Sequence, residues 1–229
     1  MGKLLGKRNA TCRKLPAMLS RRHLLAALGT LPLAACNTNR PDLGSDDLNA
    51  WYVSSIDDEP FDVPVVDQNR LKPEMRRQTV SYAGSERPGT VVVDIDTRHL
   101  YLVQEGGKAI RYGVGVGRDG FSWRGVATIG RKGVWPDWSP TATMVRLGRA
   151  PAGSRKGGLD NPLGARTLYL HQGGRDILFR IHGTNEPWSI GEQMSSGCVR
   201  MLNEDVLDLH NRVPVGTTVL VRRNGRWRV

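Results

Sequence analysis

Thr90-Val91-Val92-Val93-Asp94-Ile95-Asp96-Thr97-Arg98-His99-Leu100-Tyr101-Leu102-Val103 is the stretch that decides the fold class. Two runs of β-branched, aliphatic and aromatic residues flank a polar turn at Asp96-Thr97, which predicts an antiparallel hairpin. The same pattern repeats outward. Glu105-Gly106-Gly107 makes the next turn, and residues 108–116 alternate into a third strand. Residues 126–129 and 167–170 read as short strands, and Gln172-Gly173-Gly174-Arg175 leads into another over 176–182. A closing strand covers 217–221. One helix stands out, over 204–212. Asn203 reads as its N-cap, Glu204 and Asp205 complement the dipole of its first turn, and Val206, Leu207 and Leu209 supply an apolar face. Short strands at close spacing, with many glycines, predict a mainly β domain of sandwich or barrel-like form with one or two short helices. Residues 117–161 carry Trp123, Trp135 and Trp138 but no period that assigns an element. That stretch is expected to cover a substrate.

The first 35 residues hold seven Lys/Arg and no Asp/Glu, and they end in an apolar run over 24–35. This is the layout of a secretory signal peptide. The run is too short to span a bilayer, which takes roughly 20 residues. Ser20-Arg21-Arg22-His23-Leu24-Leu25 resembles a twin-arginine export signal, with general secretion as the alternative. Leu33-Ala34-Ala35-Cys36 resembles a bacterial lipobox, in which Cys36 is lipidated and becomes the new N-terminus. The chain carries a formal charge of +11, and the leader supplies most of the excess. Of the rest, residues 37–88 are acidic and residues 89–229 hold twenty basic and twelve acidic side chains. Export, and the scatter of the arginines, argue against nucleic acid and for an anionic partner in the cell envelope. The expected organisation is a signal peptide over 1–35, a tether over 36–88 and one domain over 89–229. Apolar islands in the tether, Trp51-Tyr52-Val53 and Val63-Pro64-Val65-Val66, are able to clamp onto the domain.

Export gives the cysteines their meaning. Cys12 leaves with the leader and Cys36 is modified, so Cys198 is the thiol that the mature chain keeps. It sits in Ser195-Ser196-Gly197-Cys198-Val199-Arg200, too small and polar for an ordinary core strand. A cysteine nucleophile needs a base or a positive field. His182 is the best candidate, at the end of an apolar strand and before Gly183, which leaves room for a substrate. His171 is possible, whereas His99 and His210 read as structural. The amides around Gly197 and Cys198 are placed to form an oxyanion hole. Ser195 and Ser196 can hydrogen-bond the imidazole or the substrate, and Arg200 can pair with a substrate carboxylate. A buried and inert Cys198 is the bland alternative, and spacing alone does not decide between the two.

Ile181-His182-Gly183-Thr184 together with Ser195-Ser196-Gly197-Cys198-Val199-Arg200-Met201 resembles the signature of the L,D-transpeptidase catalytic domain (YkuD type; the ErfK/YbiS/YcfS/YnhG group). The resemblance extends over roughly 89–229, including Asn161-Pro162-Leu163-Gly164 and Asn203-Glu204-Asp205-Val206. Two departures are visible. Ser196 stands where many members have His, and Ser122-Trp123-Arg124-Gly125 replaces a common Thr-Pro-x-Gly. The resemblance implies a mixed-strand β sandwich and a cysteine acyl-enzyme formed on peptidoglycan tetrapeptide stems. In that scheme Cys198 is the nucleophile and His182 the general base and acid. Ser195 orients the histidine, Gly197 lends its backbone to the oxyanion hole, and Ser196, Gly183 and Arg200 bind substrate. No metal or organic cofactor is implied. The acyl acceptor is another stem, an envelope protein's amine or water, and the last case is L,D-carboxypeptidase activity. A rival from another class is a non-catalytic peptidoglycan-binding lipoprotein. Either way the expected location is the periplasmic side of a bacterial envelope, with a lipid anchor in a membrane.

Overall fold

The computed structural model describes residues 50–117, 123–148, 150–195 and 197–223, without the side chains of Met194 and Ser195. The leader, Cys36, Ser196 and Ser122 lie outside the described residues. In chain order the strands are β1 (Tyr52–Ile56), β2 (Val63–Val66), β3 (Gln78–Ser81), β4 (Val91–Asp94), β5 (His99–Gln104), β6 (Lys108–Gly113) and β7 (Val116–Gly117). They continue with β8 (Gly125–Val134), β9 (Arg166–Gln172), β10 (Arg175–His182), β11 (Gln193–Ser195), β12 (Val199–Arg200) and β13 (Thr218–Arg222). Among the described residues two α-helices join them, the short α1 (Ala142–Arg146) and α2 (Asn203–Arg212).

The predicted hairpin is β4 and β5, paired antiparallel with Val91 opposite Leu102 and Asp94 opposite His99. Its unbroken valine run has a physical reason. Val91 and Val93 face the main core, while Val92 packs with Val103 and Leu220 under Tyr82 and Tyr101 on the other face. A strand covered on both sides loses the alternation of a half-exposed one. Among the described residues one nine-stranded sheet runs β12-β10-β9-β8-β13-β4-β5-β6-β3. The β13–β4 and β10–β12 pairs are parallel and the others antiparallel, so the sheet is mixed. It also curls. Arg200 at the β12 edge exchanges two backbone hydrogen bonds, 2.8 and 2.9 Å, with Gly115 just beyond β6. That closure encloses the core in the expected barrel-like form.

Helix α2 lies against this core through Val206 and Leu209, both fully buried, and ends where Val213-Pro214 denies it another turn. Its N-terminus differs from expectation. Leu202 is the cap and Asn203 is already helical. Glu204 and Asp205 stand in the first turn as expected, and both are buried. The short strand expected over 126–129 is the start of β8, ten residues long. Only its first half alternates in sequence, and Gly130-Arg131-Lys132-Gly133 hides the rest.

The tether over 36–88 needs a larger correction, because from Ala50 onward the chain is part of the fold. β3 pairs with β6 at the sheet edge. Val66, Leu71 and Met75 pack with Ile190 and Leu202. Asp58 accepts hydrogen bonds from both terminal nitrogens of Arg166, at 2.8 and 2.6 Å, and from Trp135 Nε1 at 2.8 Å. Val66 N donates to Glu204 Oε1 at 2.9 Å, and Arg77 reaches Asp205 and Asp208. The acidic composition that suggested a solvated spacer is here in part the complement of the domain's basic excess. The Arg166 guanidinium beside Asp58 holds its carboxyl below the usual range. The stabilisation is present above the ordinary carboxylate pKa and is lost as pH falls through the lowered value.

Removing Asp58 leaves the Arg166 guanidinium, 7% exposed, without its carboxylate. Asp58→Ala is therefore expected to cost roughly 3 kcal/mol of unfolding free energy in urea titration, the scale of a broken buried ion pair. A loss below about 0.5 kcal/mol, typical of an exposed pair, would return the segment to the status of a loose strap.

Candidate active site

Two neighbouring strands position the site. β10 and β12 run parallel, with Ile181 opposite Val199 and His182 opposite Arg200. Ile181 and Val199 are fully buried and point into the core. Side chains alternate across a strand, so His182 and Arg200 take the opposite face, and Arg180 and Cys198, two residues back, share it. The amide of Met201 donates to the carbonyl of His182 at 2.8 Å and extends the pairing. All four side chains line one cleft of about 590 Å³. Its other wall comes from 137–163, including Trp138, Met144 and Leu163. Part of the 117–161 segment expected to cover a substrate therefore lines this cleft.

His182 is buried, and its Nδ1 hydrogen-bonds the carbonyl of Gly183. A carbonyl only accepts, so Nδ1 carries the proton in this contact, and a second carbonyl, that of Pro162, also approaches the ring. Burial, reinforced by the charge of Arg200, pushes the imidazole pKa down to about 4. At neutral pH the ring is an uncharged base. Cys198 is half-buried. Burial pushes its thiol up, while the charge of Arg180, a backbone hydrogen bond from Arg180 and the charge of Arg200 act the other way. Burial thus works against the charged form of both groups. Gly197, beside the thiol, has φ +134°. Only glycine adopts that conformation readily, and the turn that presents Cys198 depends on it.

Several expectations change. Gly183 does not line the cleft. The space a side chain would take there is filled by Asn203 Oδ1, the Ala165 amide and Gly164, so this glycine serves packing and not substrate room. Arg200 is already engaged by Glu186, which argues against its standing open for a substrate carboxylate. The carbonyl of Gly183 accepts from His182 Nδ1, and the orienting role expected of Ser195 falls on a side chain outside the described atoms. The Ser195 backbone belongs to β11, opposite Gly117 of β7, and its side chain is outside the described atoms, as is Ser196. His171 lies over Gly130 and is not among the residues lining the cleft. Among the described residues no group of His, Cys, Asp and Glu is arranged to hold a metal.

Sequence reading missed Asn203 as a positioning residue. Its Oδ1 accepts from Ala165 N at 3.0 Å and its Nδ2 donates to Thr184 O at 2.9 Å. It thereby fixes the chain as it leaves His182. Arg131, Tyr169 and Arg180 were missed as well. They form one cross-strand row, Arg131 opposite Tyr169 and Tyr169 opposite Arg180. The signal was present for Arg180, which alternates with Phe179 and Ile181 on the His182 side.

Residues 88–221 match the profile of the L,D-transpeptidase catalytic domain, YkuD. Among curated relatives, the probable L,D-transpeptidase YbiS of Escherichia coli K12 is 38% identical over 144 residues, 57% of this chain and 43% of its own length. The probable L,D-transpeptidase ErfK/SrfK of the same strain is 34% identical over 143 residues, 59% of this chain and 44% of its own. The chain spans less than half the length of these two relatives. A Brucella melitensis structure described as a probable carnitine operon oxidoreductase is 46% identical, covering 66% of this chain and 96% of that one, with a TM-score of 0.46. L,D-transpeptidase 3 of Mycobacterium tuberculosis is 15% identical, covering 58% and 60%, with a TM-score of 0.45. These superpositions are partial, and kinship rests on the sequence match over 88–221.

With burial working against the thiolate, reaction of Cys198 with iodoacetamide should follow the thiolate fraction. The rate is expected to rise about tenfold per pH unit between pH 6 and 8. A plateau across that window, followed by mass spectrometry of the alkylated protein, would instead mean a resting thiolate–imidazolium pair.

Proposed function

The chain belongs to the L,D-transpeptidase catalytic-domain family, and from that premise we propose that it cross-links peptidoglycan stems, or joins a protein to them, through a Cys198 acyl-enzyme. The observation that carries this reading is the parallel β10–β12 register, which gives His182 and Cys198 one face and one cleft. The donor is a tetrapeptide stem. Cys198 Sγ attacks the carbonyl carbon of the third residue while His182 Nε2 takes the thiol proton. Backbone amides at Gly197 and Cys198 are offered to the oxyanion. When the tetrahedral intermediate collapses the C–N bond breaks, the His182 proton passes to the departing amine, and D-Ala leaves behind a thioester. An acceptor amine then attacks the thioester, His182 takes its proton, and the sulfur is released to be reprotonated. Water in place of the amine gives the carboxypeptidase outcome. Residues between 137 and 163 line the cleft, and a site that excludes water from the thioester favours transfer over hydrolysis.

The proposal extends to location. The basic leader and Leu33-Ala34-Ala35-Cys36 support export and lipidation of Cys36. Diacylation supplies the two or more chains that stable attachment needs. With residues from Ala50 onward packed in the fold, only 37–49 separate the anchor from the domain, so the enzyme would work close to the membrane surface.

Mass analysis of products from the purified protein and synthetic tetrapeptide stems tests the activity. Stem dimers that have lost one D-Ala are expected, and none with Cys198→Ala. Tripeptide alone would favour the carboxypeptidase, and turnover by Cys198→Ala would remove the cysteine mechanism altogether. For the anchor, Cys36→Ala should move the protein from a detergent-requiring membrane fraction to a soluble periplasmic one. A wild-type protein that is already soluble, with an unmodified N-terminus near residue 36, would contradict lipidation.

A further inference from the structure

The row Arg131–Tyr169–Arg180 ends at the nucleophile. Register sets Arg131 of β8 opposite Tyr169 of β9, and Tyr169 opposite Arg180 of β10. The parallel pairing of β10 with β12, continued two residues back from His182 and Arg200, sets Arg180 beside Cys198. The guanidinium carbon of Arg131 lies 3.4 Å from the Tyr169 ring centroid, and that of Arg180 lies 4.6 Å from it. All four residues line the cleft. Two cations held over one ring repel each other unless negative charge is near. Arg180 has its own, two hydrogen bonds to Asp176 at 2.6 and 2.8 Å. The carboxylates among the residues lining the cleft are committed elsewhere, Glu186 to Arg200 and Asp137 to Lys156. Among the described residues no carboxylate pairs with Arg131, although stacking fixes its plane and leaves its edge nitrogens able to donate.

The local backbone is shaped to keep this row in place. β10 carries a bulge between Asp176 and Arg180, where Leu178 adopts φ +58° and its amide donates to Asp176 Oδ1 at 2.7 Å. Such a bulge re-aims the side chains that follow it. Here it brings Asp176 and Arg180 into bidentate contact and holds Arg180 against Tyr169. An anion reaching Arg131 thus meets a rigid planar donor beside a second cation, a geometry that matches a carboxylate.

We propose that Arg131, stacked on Tyr169 and backed by Arg180, is a carboxylate-binding subsite for the donor stem, placed across the sheet from Cys198. This rests on the transpeptidase reading, which supplies a peptide donor. Two of its carboxylates fit the chemistry, the C-terminal one of the leaving residue and one at the end of the third residue's side chain. Binding either would orient the scissile carbonyl over the thiol before reaction. Arg200, already matched by Glu186, would then hold the wall of the site while Arg131 reads the substrate.

The test measures acylation of Cys198 in the full-length protein by three synthetic tetrapeptides. One carries both carboxylates, one has a C-terminal amide, and one lacks only the side-chain carboxylate. Wild type should prefer the first over one of the others. Arg131→Gln should raise KM for the first peptide about 10–100-fold, the scale of a charge-assisted hydrogen bond, and abolish that preference. Arg131→Lys should fall between them, since charge remains and the planar fork is lost. Which comparison collapses identifies the carboxylate, and either collapse supports the subsite. Equal preference in wild type and Arg131→Gln, or none in wild type, would overturn it while the enzyme still acylates. If wild type is acylated by no peptide, the transpeptidase reading fails and the subsite fails with it.

Discussion

A two-residue ladder between β10 and β12 is the constraint on which the site depends. It is a parallel pair in a sheet whose pairs are mostly antiparallel, and it joins strands separated by a long excursion through 183–198. Pairing Ile181 with Val199 commits both to the core, and the period of two then delivers His182, Cys198 and Arg200 to the cleft together. A slip of β12 by one residue would turn Cys198 and Arg200 toward the core and Val199 out of it. The hydrophobic cost of that slip guards the catalytic register: burying a Val or Ile is worth about 1.5–3 kcal/mol. The same β12 edge bonds back to Gly115 and closes the curl of the sheet. Closing the core and assembling the site are therefore one event.

The first turn of α2 supports this edge from behind. Asn203 fastens Ala165 to Thr184, Glu204 receives the amide of Val66, and Asp205 faces Arg77. Three consecutive residues thus tie β9, the exit from β10 and the N-terminal segment to one helix end. Their environment is unusual. Burial pushes the Asp205 carboxyl up to about 8, with Glu204 adding to the effect, and burial also raises Glu204. Carboxyls raised in this way favour the folded state most at low pH and lose that contribution as pH rises. Asp58 has the opposite sign: its contribution is present above the ordinary carboxylate pKa, where that of Asp205 is lost as pH rises toward about 8.

Much of this was legible in the chain. Thr90 to Val103 announced the hairpin by composition, and Arg180-Ile181-His182 with Cys198-Val199-Arg200 carried matching alternations that the structure pairs. What escaped reading escaped for physical reasons. The segment from Ala50 holds itself with long-range ion pairs such as Asp58 to Arg166, and no local period records a partner 108 residues away. Asn203 looked like a cap because capping and long-range bridging use the same side chain. Gly183 looked like space for a substrate because sequence does not show that Asn203 fills it. The stack of Arg131 on Tyr169 is a cross-strand contact between β8 and β9, and half of β8 has no hydrophobic alternation to reveal its register.

The central claim is that the parallel pairing makes His182 the base for Cys198. The most direct measurement is the single-turnover rate of thioester formation from a tetrapeptide stem, in wild type and in His182→Ala, with the thermal midpoint as a control for folding. The account predicts a rate lower by roughly 10²–10⁴ in the variant, the usual contribution of a general base, with the fold retained. An unchanged rate in folded His182→Ala would contradict it and move the base elsewhere in the cleft.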